Sequence, residues 1–212
     1  MVPPPDILDI SGHENPSGAL RPDSFFRMIK SVYPVEAATE AYARSIIRPV
    51  QVKQGDLLVK SGSFCDHLYF VEKGLLRGFI RQEKRDITTW ITAENELVTS
   101  ISSYYNQIPS IENIEAIEDA LLWAIHRDHM QYMFSHFTEI NVIVRIILEK
   151  YYQDAEERAY ISRLSDASAK YHRFLNTRHH MLNRVPPRII ASYLDITEET
   201  LSRIRSRLSM LP

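Results

Sequence analysis

The six glycines of this 212-residue chain stop at Gly78. Two lie within residues 1–22, four fall between Gly55 and Gly78, and none occurs in the 134 residues that follow. Glycine supplies the positive-φ positions of tight turns at little steric cost. Frequent chain reversal is therefore expected in the first half, and longer unpunctuated elements in the second. The same distribution removes any Walker-type or dinucleotide glycine loop beyond residue 78.

The hydrophobic pattern follows this division. Val50 and Val52 alternate with polar neighbours, and Leu57-Leu58-Val59 sits between Gly55-Asp56 and Ser61-Gly62. His67–Val71, Leu75–Ile80 after the Glu72-Lys73-Gly74 turn, Ile87–Ile91, Leu97-Val98, Ile111–Ile117 and Leu121–Ile125 continue the series. Regular short strands broken by turn residues predict an all-β sandwich or barrel over about 47–125. Ahead of it, residues 1–22 hold five of the eleven prolines and read as a tail or docked arm. Phe25–Ile29 reads as a short amphipathic helix, and a second is predicted over Val35–Ile46 after Pro34.

From about Thr138 the period becomes helical. Ile140, Val144, Ile147 and Tyr151 recur at spacings of 4, 3 and 4, a heptad-like stripe. A helix reaching Leu164 is about 40 Å long and would project beyond a small β domain. A second copy of the chain would cover its stripe and give a two-fold dimer. The alternative is that the stripe packs on its own β domain. Ser165-Asp166 is an N-cap signal for a further helix to about His179, which places a hinge at 164–166.

The net charge of −2 conceals an asymmetry. Residues 163–212 carry nine Arg and Lys against four Asp and Glu, and the remainder carries 16 against 23. A basic C-terminal end on an acidic body points to nucleic acid. Cys65 is the only cysteine, so an internal disulfide, a multi-cysteine zinc site and an iron–sulfur cluster are excluded. The eight histidines include no H-x-H or H-E-x-x-H spacing, which counts against a metal-dependent cupin enzyme. No nucleophile-elbow pattern is present, and no metal or other cofactor is implied. The start lacks a signal-peptide pattern, and no apolar run is long enough to span a membrane. With a single thiol, a reducing cytoplasm is the expected location.

The last 25 residues carry the most specific pattern. Arg188–Leu194 reads as a helix with Ile190, Ala191 and Leu194 inward, after Pro186-Pro187. Asp195-Ile196 forms a tight turn, and Thr197 caps a helix over Glu198–Leu208 with Leu201, Ile204 and Leu208 buried. Glu199, Ser202, Arg203 and Ser206 share the opposite face. On a recognition helix, arginine reads guanine N7 and O6, and glutamate accepts from cytosine N4. Glu199, Ser202 and Arg203 are the expected base contacts. Arg188, Thr197, Arg205 and Arg207 are the expected phosphate contacts, which supply affinity without sequence. An ordinary helical hairpin with a charged face is the plainer alternative.

With these parts in order, the chain resembles the Crp/Fnr family of transcription regulators over nearly its whole length after residue 22. Gln54–Gly62 and His67–Arg77 resemble that family's cyclic-nucleotide-binding-type β roll, and Glu199-Thr200-Leu201-Ser202-Arg203 its Fnr-like recognition helix. The resemblance implies an α+β chain divided as tail (1–22), double-stranded β-helix or jelly-roll sensor (23–137), long dimerisation helix (138–164) and small helix-turn-helix DNA-binding domain (165–212). It implies a homodimer on double-stranded DNA, with RNA polymerase as a candidate further partner, no membrane and no enzymatic activity. It places an effector pocket at Thr99, Ser100, Ser102, Ser110, Ile111 and Tyr151, for a small molecule the sequence does not identify.

Two departures from the family pattern stand out. Thr99-Ser100 replaces a Gly-Glu pair that holds ribose, and Ser110-Ile111 replaces an Arg-Ser pair that holds phosphate. No Arg or Lys lies between Arg85 and Arg127, whereas Glu112, Glu115 and Glu118 do. A buried cyclic phosphate without a cation loses its charge-assisted bonds, so cyclic AMP is not the expected effector. The chain also stops four residues after Leu208, so a long β wing is not expected. Two other functions stay open: a signalling module of this fold without productive DNA binding, and a cupin-like enzyme.

Overall fold

A computed structural model describes residues 20–83 and 85–209, so all but the last three residues of the expected 1–22 tail lie outside the described part. Two helices, α1 (Asp23–Val32) and α2 (Ala37–Ile46), precede eight strands. These are β1 (Arg48–Val52), β2 (Leu57–Val59), β3 (His67–Lys73), β4 (Leu76–Gln82), β5 (Arg85–Thr92), β6 (Leu97–Val98), β7 (Asn113–Ala116) and β8 (Ala120–His126). A short helix α3 (Ile101–Asn106) lies between β6 and β7. After β8 come α4 (Arg127–His136), α5 (Thr138–Arg163), α6 (Ala167–Arg178), α7 (Pro187–Leu194) and α8 (Glu198–Ser209).

The strands form two antiparallel four-stranded sheets, ordered β1-β8-β3-β6 and β2-β7-β4-β5. Two sheets exchanging strands in this way make the expected jelly roll. Val50, Val71, Leu76, Ile114 and Leu122 fill the space between them. The other face of β8 and β3 is also apolar at Trp123 and Phe70, where α1, α2, α4 and the start of α5 pack. Phe25, Phe26 and Ile29 are the buried stripe of α1, and the acid in its first turn and lysine in its last suit the helix dipole.

Gly74 turns β3 into β4 with φ +104°, and a Cβ there would come within 2.9 Å of Ala120. Gly78 has an ordinary φ and is glycine for another reason. The Trp90 indole of β5 lies over it, 2.2 Å from where a Cβ would sit. The indole then reaches Glu112, donating from Nε1 at 2.9 Å.

The structure corrects the sequence reading in several places. The second helix begins at Ala37, because Glu36 is still extended. Neither α3 nor α4 is anticipated by the strand pattern. The first turn of α4 is tied down by His126, whose Nδ1 accepts from Asp128 N at 3.1 Å. Ile111 lies outside β7 and is 74% exposed. Asp166 caps α6 as expected, accepting from Ser168 N and Ala169 N. The α5–α6 break falls at 164–166.

Gly78→Ala is expected to lower stability by about 1–3 kcal/mol through overpacking and to change Trp90 fluorescence in the folded state. Urea unfolding followed by emission checks both.

Candidate functional site

The C-terminal helices form a compact unit. Pro187 occupies the first turn of α7, where a missing N–H leaves no bond unmade. The helix ends at Asp195, in the left-handed conformation at φ 49°, ψ 56°. Lys170 is buried and donates from Nζ to Leu194 O at 3.0 Å, a favourable place for a cation at a helix C-terminus. Thr197 opens α8, its Oγ1 accepting from Thr200 N at 3.1 Å. Leu201 and Ile204 are buried, with Leu208 half-buried beside them. The inward face of α8 is therefore fixed.

The outward face carries the residues expected to read bases. Glu199, Ser202 and Arg203 are exposed, and Arg203 pairs with Glu199 at 2.7 Å. Arg188, Thr197 and Arg207 are exposed too. Arg205 is placed differently. Its Nε donates to the Tyr171 hydroxyl at 3.0 Å, and it is half-buried against α6. The free chain thus holds this arginine within the unit.

The unit docks on its own roll, which sequence reasoning missed. Ser192 of α7 donates from Oγ to Asp86 O at 2.7 Å and accepts from Thr88 N at 2.9 Å. Leu75, Ile91, Ala93 and Ile117 of the roll share one apolar cluster with Phe174, Met181, Ile190 and Leu194. Arg184 clamps this junction, bonding both oxygens of Glu94 at 2.7 and 2.9 Å and both of Glu118 at 2.7 and 3.1 Å. The Arg184 guanidinium holds the Glu94 carboxyl down at about 2. Arg178 bonds Glu96 at 3.4 Å and lies 3.7 Å from Asp154. The one available signal was a surplus of acids at 94–118 facing a basic C-terminal end.

The expected effector residues do not form one pocket. Ser100 and Ser110 are buried with their hydroxyls 2.9 Å apart. Ser102 and Ile111 are exposed. Thr99 donates to His67 O at 2.9 Å. Glu112 lies beside the serines, and burial pushes its carboxyl up despite the Trp90 bond. Glu115 and Glu118 are engaged elsewhere, Glu115 by the buried Arg77 at 2.6 Å and Glu118 by Arg184. His67 is held neutral, its pKa lowered by burial to about 4, in keeping with a structural place in β3. Among the described residues no group of His, Cys, Asp and Glu could hold a metal ion.

A cavity of about 140 Å³ does exist, between the roll and α5. Thr99 and Tyr151 line it, the only two of the six expected residues to do so. Leu68, Ile91, Val98, Met130, Val144 and Ile147 make much of its wall. Arg158 and Arg178 reach its edge from the helical half, so cations absent from the β segment arrive from elsewhere in the chain.

The stripe on α5 also differs from expectation. Ile140 is buried against the roll, Val144 and Ile147 pack on the same apolar cluster, and the Tyr151 hydroxyl bonds both Leu97 N and Leu97 O. These four residues are engaged within the chain. One position along, Asn141, Arg145, Leu148, Tyr152 and Ala155 repeat the 4, 3, 4, 3 spacing and are all exposed. Tyr152 is 73% exposed and Leu148 46%.

Residues 49–137 match the family described as Cyclic nucleotide-binding domain, so the roll has the fold of that domain. Together with the long helix and the C-terminal helices, the chain has the fold of the Crp/Fnr regulators. FixK2 from Bradyrhizobium japonicum superposes with TM-score 0.69 at 16% identity, covering 77% of this chain and 85% of that one. The c-di-GMP-responsive global regulator CLP of Xanthomonas campestris gives 0.64 at 15%, covering 82% and 92%. A crp/fnr-family transcriptional regulator from Eubacterium rectale gives 0.64 at 17%, covering 84% and 88%. No curated protein matches the sequence. Among the described residues no helix is long and apolar enough to cross a membrane.

The Arg184 clamp predicts a pH dependence. Glu94 has a folded pKa of about 2 against an ordinary 4.5. Its contribution is full above 4.5 and is lost as pH falls toward 2. Tm should drop more steeply over this range in the parent than in Glu94→Gln, and the gap between the two should close. Equal slopes would show that the Glu94 arm of the clamp contributes nothing.

Proposed function

We propose that this chain is a DNA-binding transcription regulator of the Crp/Fnr type. The observation that carries the reading is α8: a capped helix with one face buried in its unit and Glu199, Ser202 and Arg203 exposed on the other. The helix-turn-helix would set α8 in a major groove, with Arg188, Thr197 and Arg207 on phosphates. Arg205 would reach phosphate only by leaving Tyr171. Arg203 would exchange Glu199 for a base edge. The protein would act without catalysis, in the cytoplasm, with RNA polymerase as a candidate partner.

A two-fold operator requires two copies. The exposed seam Asn141, Arg145, Leu148, Tyr152 and Ala155 supports pairing along α5, one residue removed from the stripe the sequence suggested. Half-sites about one helical turn apart are expected for a helix-turn-helix dimer of this kind. The roll would act as a sensor shifting the population of DNA-competent dimers. Cyclic AMP is not the effector in this reading: Ser110 is closed by Ser100, and the half-buried Glu112 carboxyl lies beside them.

A second reading is a signalling module without productive DNA binding. It is favoured by Glu198 and Glu199 in the first turn of α8, where phosphate would approach. Selection of bound duplexes from a random pool separates the two. A palindromic consensus is expected, and no enrichment would remove the regulator reading. Arg203→Ala should then relax one base position in each half-site and weaken binding by about 1–3 kcal/mol. Tyr152→Glu should shift the sedimentation coefficient from dimer to monomer; an unshifted value would place the pairing surface elsewhere.

A further inference from the structure

The geometry points to the α5 cavity as a site for a small apolar monoanion, a one-ring arene carboxylate or a short-chain equivalent, with its carboxylate on Arg158. This rests on the sensor reading above and specifies its ligand. The volume, about 140 Å³, is close to the ~150 Å³ at which apolar cavities stay dry and take up a benzene-sized solute. A cyclic nucleotide, with nearly four times the heavy atoms of a benzene ring, does not fit such a space. The body of the cavity is aliphatic and aromatic, from Leu68, Ile91 and Val98 of the roll to Val144 and Ile147 of α5. Such walls favour an apolar ligand body.

The charged edge sets the head group. Glu96, Asp154, Arg158 and Arg178 line it. Arg178 takes the two carboxylates, Glu96 at 3.4 Å and Asp154 at 3.7 Å. Arg158 is half-buried and makes no hydrogen bond or ion pair to a described residue; Glu112 acts on it only through space. A partly desolvated guanidinium without a bonded counter-charge is costly, and a carboxylate meets its planar fork. A ligand with two or more negative charges would meet Glu96 and Asp154 at the same edge. An amine would meet Arg158 and find both carboxylates taken. Tyr104, also in the wall, has a buried hydroxyl without a hydrogen-bond partner among the described residues.

The test is calorimetric and ligand-observed NMR titration of the full chain with benzoate, hexanoate, benzyl alcohol and cyclic AMP. Saturable benzoate binding is expected, with hexanoate comparable and benzyl alcohol and cyclic AMP about tenfold or more weaker. Arg158→Gln should weaken benzoate about tenfold or more while leaving benzyl alcohol unchanged. Val144→Phe, which fills the cavity, should abolish benzoate binding in a chain whose circular dichroism matches the parent. The proposal is overturned by benzoate binding that Arg158→Gln leaves intact, by benzyl alcohol binding as tightly as benzoate, or by no benzoate or hexanoate binding up to ~10 mM. Cyclic AMP saturating ahead of benzoate would overturn it too. Recovery of a DNA consensus alongside failed benzoate binding sinks this site alone. Benzoate binding without a DNA consensus sinks the regulator reading alone.

Discussion

The apolar cluster shared by the roll and the C-terminal helices sets the placement of everything that could contact DNA. Leu75, Ile91, Ala93 and Ile117 come from the roll, and Phe174, Met181, Ile190, Leu194, Leu201 and Ile204 from the helical unit. Because these side chains interlock, the unit has no independent core on its roll-facing side. Burial of this kind is non-directional and would by itself allow sliding. The polar bonds at its margin remove that freedom: Ser192 joins the backbone of β5, and Arg184 joins two carboxylates at once. Bidentate guanidinium contacts fix angle as well as distance. The orientation of α8 relative to the roll is thus tied to a few named bonds.

The local readings that succeeded rested on local physics. The Asp166 cap, the left-handed Asp195 and the Thr197 cap are each decided by a few neighbouring residues, and each appears in the structure, while α7 begins at Pro187, one residue ahead of the expected Arg188. The strands between Gly55 and Gly78 were legible for the same reason. What failed was non-local. The docking of Ser192 on Asp86 spans 106 positions, and that of Arg184 on Glu94 spans 90. No period or composition carries such a pairing. The cavity cations were invisible likewise: residues 86–126 contain no arginine or lysine, yet Arg158 and Arg178 line the cavity beside that segment.

Helix α5 shows why a stripe in a sequence does not name its partner. Its apolar residues occupy two adjacent columns, Ile140, Val144, Ile147 and Tyr151 in one, Leu148 and Tyr152 in the other. Neighbouring columns are about 100° apart on a helix of 3.6 residues per turn. Periodicity marks the first column as the more apolar but does not say whether it meets the roll or a second chain. The roll takes the first through the Tyr151 bond to Leu97 and the burial of Ile140. The second is left outward. An offset of one residue separates a contact with the chain's own roll from an exposed face.

The two sides of that helix are not insulated from each other. Ile101, Tyr105, Phe134, Val144, Leu148 and Tyr151 line both the inner cavity and the open groove beside the exposed seam. One layer of side chains is therefore the back wall of one space and the floor of the other. In a sensor built this way, sensitivity and assembly share hardware. The concentration of ligand that triggers a response and the concentration of protein that pairs would be set by the same residues, and selection on either threshold would move the other.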